Sequence, residues 1–170
     1  MIKLYLAEID NAKSYSKSFA KNILGESLNV DEKSLVVQEN AFGKPHLRDY
    51  TDVHYNISHT KGAIVCAVTD KPVGVDIERI RKVNERIVER YFTRNEQNYI
   101  FSRIENQDER FTEIWTKKEA YVKWRGKGMT IPFGSFDVLQ KAIHSFSYGI
   151  YYISIYKKNG AVDVCTKIVQ

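Results

Sequence analysis

The chain has 170 residues, 43% hydrophobic and 28% charged, which supplies one full core or two small halves sharing one and places it among globular proteins. Its 26 Lys and Arg outnumber 21 Asp and Glu for a formal charge of +5, a balance that favours an acidic protein, a polyphosphate or a nucleic acid as partner. The basic residues run from Lys3 to Lys167 with acidic ones between them, without a basic arm or zinc-finger spacing, so a nucleic-acid-binding domain ranks low, and the longest apolar run, 63–68, is far too short for a membrane span.

Ile2, Leu4, Leu6 and Ile9 predict a first strand, and the presence of Lys3 and Glu8 in it argues against a signal peptide, so a cytoplasmic location is expected. Phe19, Ile23, Leu24 and Leu28 then recur at helical spacing over 14–28, with Gly25 as a late interruption. A short strand is predicted at 35–37, followed by the turn-rich Asn40-Ala-Phe-Gly-Lys-Pro45. Tyr55-Asn-Ile-Ser-His59 leads across a Lys61-Gly62 hairpin turn into a strand over 63–69, with His59 placed in a loop beside Ser58. Lys71-Pro72 is the expected boundary between an N-terminal half, 1–71, and a C-terminal half, 72–170.

The second half opens on a strand, Val73-Gly-Val-Asp-Ile-Glu-Arg-Ile80, followed by helices over 84–91 and 95–104, the latter capped by Thr93 with Glu96. A long helix over 110–124 ends at Gly126-Lys-Gly128, and strands over 135–140, 148–157 and 161–169 close the chain, with a turn at 157–160. The order indicates an α+β fold. Ile2, Leu4, Leu6 and Ile9 superpose on Val73, Val75, Ile77 and Ile80 without a gap, with Tyr5 and Ala7 in the places of Asp76 and Glu78, an echo that two related halves would explain. Cys66 and Cys165 lie in apolar segments without C-x-x-C spacing and are expected as two buried, reduced thiols.

Chemistry concentrates in three carboxylates. Asp76 and Glu78 are two apart on a strand and project from one face, while Glu119 and Lys123 are four apart on a helix and stack on one side. Hard oxygen ligands that hold a divalent cation beside phosphate oxygens, with a Lys nearby, are what magnesium-assisted phosphoryl chemistry needs. Taken singly, the same residues also read as surface ion pairs, Asp76 or Glu78 with Arg79 or Arg81 and Glu119 with Lys123. Trp115 reads as a core anchor, and His46, His54 and His144 lack metal-ligand spacing, which argues against zinc.

Gly43-Lys-Pro45, Asn56-Ile-Ser-His59, Gly74-Val-Asp-Ile-Glu78, the segment from Phe92 to Glu96 and Trp115-Thr-Lys-Lys-Glu-Ala-Tyr-Val-Lys-Trp-Arg-Gly-Lys-Gly128 occur in one order, and with them the chain resembles the 4'-phosphopantetheinyl transferases of the Sfp type. The resemblance implies two similar α+β halves forming a pseudo-dimer in one chain, with a monomer sufficient. It also implies magnesium-dependent transfer of the phosphopantetheine arm of coenzyme A to a serine of an apo acyl or peptidyl carrier protein, releasing adenosine 3',5'-bisphosphate. On that pattern Asp76 and Glu119 ligate magnesium, with Glu78 a third ligand or a support through water. Either Glu78 or Glu119 helps deprotonate the serine, and Lys123 neutralises charge on the transferring phosphate. Ser58 and His59 touch the coenzyme A phosphates, and Lys44 with Pro45 lines the adenine and phosphate pocket. The chain departs from the pattern between Asp10 and Leu28, where Lys13, Lys17 and Lys21 stand in for a longer basic stretch that grips the 3'-phosphate. A non-catalytic coenzyme A or carrier-binding module of the same fold is the alternative.

Overall fold

A computed structural model of the protein describes residues 1–158 and 163–169. Strands β1 (Ile2–Ile9), β4 (His54–Thr60), β5 (Gly62–Thr69) and β9 (Val164–Ile168) form one sheet in the order β4-β5-β1-β9. β6 (Val73–Arg79), β7 (His144–Tyr148) and β8 (Tyr151–Lys157) form a second, in the order β6-β8-β7, while β2 (Val37–Glu39) and β3 (Pro45–Leu47) make a separate hairpin. Helix α1 (Ala12–Leu28) covers the first sheet, and α4 (Gln107–Arg125) lies on β6 and β8 of the second. Two shorter helices, α2 (Glu85–Tyr91) and α3 (Arg94–Phe101), precede α4.

The alternation seen in the sequence sets these layers. Ile2, Leu4 and Leu6 of β1 share one core with Val73, Val75 and Ile77 of β6, together with Val65 and Ile153 of the strands beside them. This core is the apolar filling between the two sheets, and each strand turns its other face to a helix. Tyr5 and Ala7 of β1 join Phe19, Ile23 and Leu24 of α1. The matching positions on β6 are Asp76 and Glu78, on the side where α4 packs.

The two units share a connection pattern. In the first, β1 pairs antiparallel with β5, which pairs antiparallel with β4; in the second, β6 pairs antiparallel with β8, which pairs antiparallel with β7. Each is a strand, a covering helix and a hairpin. β9 pairs in parallel with β1, Ile2 opposite Val164 and Leu6 opposite Ile168, so the last strand of the chain completes the first sheet.

Several local expectations are corrected. Gly25 does not break α1, which runs to Leu28 and stops at Asn29 with φ 55°; a Cβ on Gly25 would lie 3.0 Å from the Val30 carbonyl oxygen, so the glycine serves the chain's return over the helix end. The strand expected at 35–37 begins two residues late, because Asp31 caps a short 3-10 turn over Glu32–Ser34. His59 lies inside β4 and not in a loop. No strand occupies 135–140: Lys118 donates to the carbonyls of Phe133 and Phe136, and the Glu96 carboxylate accepts from the Val138 N–H, so side chains satisfy this backbone in place of a ladder. The hairpin turn falls at Gly149, φ 55°, inside the strand expected over 148–157, and β7 begins at His144. Cys66 is buried but Cys165 is exposed on the edge strand β9. In the expected turn at 157–160 and strand at 161–169, positions 159–162 lie outside the described residues.

Candidate functional site

The site forms at the seam where β4 of the first sheet runs beside β6 of the second. β4 presents Asn56, Ser58 and Thr60 at alternate positions, hence from one face. Asn56 Oδ1 accepts from the Val75 N–H at 2.8 Å, Ser58 Oγ donates to Asp76 Oδ1 at 2.7 Å, and Thr60 Oγ1 donates to Glu78 Oε2 at 3.1 Å. One polar stripe thus joins the sheets and orients both carboxylates. Thr60 and the bonding role of Asn56 escape a motif search, although the polar i, i+2, i+4 pattern in an otherwise apolar hairpin is visible in the sequence.

From the other side, α4 brings Glu119 and Lys123. Lys123 Nζ lies 2.6 Å from Asp76 Oδ1 and 2.8 Å from Ser58 Oγ. Among the described residues no ion pair joins Glu119 to Lys123 or Asp76 to Arg79 or Arg81, so the surface-pair readings are set aside. Arg81 instead places its guanidinium 5.5 Å from the Phe111 ring centroid and 5.1 Å from that of Trp115, and Trp115 packs against the core of α2 to α4 as an anchor.

Asp76 is 3% exposed, and its second oxygen, Oδ2, is buried without a hydrogen-bond partner. Such an atom is costly unless a hydrogen-bond donor or a cation meets it. Burial, then the charge of Asp76, raises Glu119 from 4.5 to about 7. Glu78 is raised for the same two reasons, against the lowering influence of Arg81, Thr60 and Lys123. Two carboxylates whose charged forms are disfavoured beside a third with an orphaned oxygen suit a hard divalent cation by the chemistry of the donor set. Among the described residues no three His, Cys, Asp or Glu side chains converge as a metal-holding group, and Asp76 engages the Lys123 ammonium.

The other expected contacts separate into two places. His59 lines a cavity of about 610 Å³ with Lys13, Ser14, Thr60 and Lys61. Partial burial, then the cations Lys123 and Lys13, lowers the His59 pKa against the pull of Asp76. The spacing of Lys13, Lys17 and Lys21 does not single out one of them; folding does, by setting the start of α1, with Lys13, beside the β4–β5 turn. Lys44 and Pro45 line a second cavity of about 290 Å³ with Tyr55, Pro72 and Trp124. The Lys44 ammonium itself donates to the carbonyls of Val73, Lys123 and Trp124, and burial lowers its pKa to about 8.

Residues 72–164, which carry β6, α4 and the carboxylates, match the family model described as the 4'-phosphopantetheinyl transferase superfamily. The chain belongs to that superfamily. Among similar members are the 4'-phosphopantetheinyl transferase gsp of Aneurinibacillus migulanus, 42% identical over 68% of this chain and 48% of that protein, and Sfp of Bacillus subtilis strain 168, 29% identical over 69% and 53%. HetI of Nostoc sp. is 28% identical over 75% of this chain and 56% of that protein. The chain thus spans about half the length of these superfamily members. Among the described residues no helix is long and apolar enough to cross a membrane.

Proposed function

We propose that this member of the superfamily transfers the 4'-phosphopantetheine arm of coenzyme A to a serine hydroxyl of an apo acyl or peptidyl carrier protein, as a magnesium-dependent, monomeric enzyme of the cytoplasm. The observation that carries the reading is the buried, unpartnered Oδ2 of Asp76 beside Glu78, Glu119 and Lys123. Asp76, Glu78 and Glu119 would hold magnesium, which when bound would neutralise charge on the pyrophosphate oxygens. Lys123 Nζ, already 2.6 Å from Asp76 Oδ1, stabilises charge building on the transferring phosphate, with Ser58 beside it as a further donor. The serine oxygen forms its bond to the phosphorus that carries the pantetheine arm, and the P–O bond to the adenosine bisphosphate breaks. The serine proton passes to Glu78 or Glu119, and the bond electrons leave with adenosine 3',5'-bisphosphate.

The two cavities flank that centre. Lys13, His59 and Lys61 supply cationic and donor groups for a coenzyme A phosphate, and the Pro45, Tyr55 and Trp124 walls supply apolar surface for the adenine. On this reading residues 1–71 serve chiefly coenzyme A and residues 72–170 carry the metal ligands and catalytic helix. The net charge of +5 suits an acidic carrier surface and needs no nucleic acid or membrane as partner.

Incubation with coenzyme A, magnesium chloride and apo carriers of both types tests the reading by mass spectrometry. A phosphopantetheine mass gain on the carrier serine, lost on chelation, is the expected result. No gain on any acyl or peptidyl carrier would overturn it.

A further inference from the structure

We infer that Lys44 is a positioning residue, whose ammonium locks the last turn of α4 to the start of β6 and so fixes Lys123 opposite Asp76. The inference rests on the function proposed above for its catalytic consequence, but the clamp itself is read from the fold. A lysine ammonium has three N–H donors. Here all three are engaged, with the Lys123 carbonyl at 2.8 Å, the Val73 carbonyl at 3.0 Å and the Trp124 carbonyl at 3.2 Å. None remains for a substrate phosphate without breaking one of these bonds, each of which is at least partly shielded from water.

The three carbonyls are not a random set. Lys123 and Trp124 lie in the last turn of α4, where carbonyls look beyond the helix for donors; that of Lys123 also accepts the Gly126 N–H at 3.2 Å. Val73 opens β6, three residues ahead of Asp76. One ammonium therefore holds the main chain of both elements whose side chains meet in the 2.6 Å contact between Lys123 and Asp76. It also sets a positive charge against the negative end of the α4 dipole.

The hairpin that carries Lys44 is built for the same task. β2 and β3 pair only with each other, as a two-stranded sheet of their own anchored by Leu47 in the core under the first sheet. Asn40 Oδ1 accepts from the N–H groups of Phe42 and Lys44, shaping the turn, while Asn40 Nδ2 donates to the Gly126 carbonyl just past the end of α4. Gly126 ends the helix at φ 62°, and a Cβ there would lie 2.9 Å from Lys44 Cδ, so the lysine stem packs against the helix stop. Without this strap the last helical turn is the segment most open to fraying, and Lys123 sits in it.

The test compares wild type, Lys44→Met and Lys44→Gln as full-length chains. It reads kcat and KM with coenzyme A and with dephospho-coenzyme A, together with hydrogen exchange of the amides at 122–126. In Lys44→Met, kcat should fall about tenfold or more while KM for coenzyme A moves less than about threefold. The loss should be equal with dephospho-coenzyme A, exchange at the end of α4 should quicken, and Lys44→Gln, which retains an N–H donor, should recover part of both effects. A raised KM at unchanged kcat that disappears with dephospho-coenzyme A would make Lys44 a phosphate ligand and overturn the inference, as would unchanged exchange at 122–126. The exchange measurement needs no turnover, so a protein inactive on every carrier would count against the proposed function while the clamp is still decided. Should Lys44→Met fail to fold, Lys44→Gln is judged by the same outcomes.

Discussion

Gly74 and Ala120 are in backbone contact. A Cβ on Gly74 would lie 1.9 Å from the Ala120 carbonyl oxygen and 2.4 Å from the Trp124 nitrogen. Helix α4 therefore rests directly on the main chain of β6, and this close seat brings Lys123 to Asp76.

Gly74→Ala cannot be absorbed by a side-chain rotation, because backbone atoms stand on the other side. It should destabilise the protein by about 3 kcal/mol or more and remove transfer activity. Chemical denaturation and the carrier assay measure the two effects; near-wild-type stability would show that α4 can lift from β6 at little cost.

Asp76→Asn keeps the side-chain volume and removes the charge that Lys123 meets and that, on the proposed function, a magnesium ion would also meet. Turnover should drop by about a hundredfold or more, with loss of the magnesium dependence of thermal stability. Wild-type turnover in Asp76→Asn would remove this residue from the metal site.

Glu119 makes the metal-free protein sensitive to pH. Its folded value of about 7 lies above the ordinary 4.5, so between these values the folded state binds more protons than the unfolded chain, and stability falls as pH rises. The contribution is fully present below the ordinary value and lost as pH passes the folded one; the raised pKa of Glu78 acts in the same direction. Melting temperatures of wild type and Glu119→Gln, compared at about pH 5 and about pH 7 without metal, should show the variant gaining on wild type at the higher pH. A difference that does not change with pH would refute the assignment.

Lys118 and Glu96 form an ion pair at 2.8 Å with both side chains 0% exposed, and Lys118 also holds the Phe133 and Phe136 carbonyls. Burial first, opposed by Glu96, lowers the Lys118 pKa. Lys118→Met strands a buried carboxylate and should cost about 3 to 5 kcal/mol in denaturant unfolding, part of which Glu96→Gln should restore in the double variant. A loss below 1 kcal/mol, by the scale of exposed pairs, would show that the 133–139 segment does not depend on this pair.

Lys13→Ala tests the cavity beside His59. KM for coenzyme A should rise about tenfold with little change in kcat, and the effect should vanish with dephospho-coenzyme A. An equal rise with both donors would place the 3'-phosphate elsewhere.

The sequence by itself determined the α+β class, the shared apolar faces of β1 and β6, the Thr93–Glu96 cap and the facing of Asp76 with Glu78. Each depends on a period of two or 3.6 residues or on a cap within a few positions, and so is written locally. The same locality explains the failure at 135–140, where apolar alternation points to a strand but Lys118 and Glu96, distant in sequence, satisfy the backbone instead. Only the tertiary structure decided that Lys123 meets Asp76 and not Glu119, that Lys13 reaches the cavity of His59, and that Lys44 turns its ammonium onto helix carbonyls. A lysine's four-carbon stem reaches partners in several directions, and which one it takes depends on what packing brings within 3 Å and shields from water.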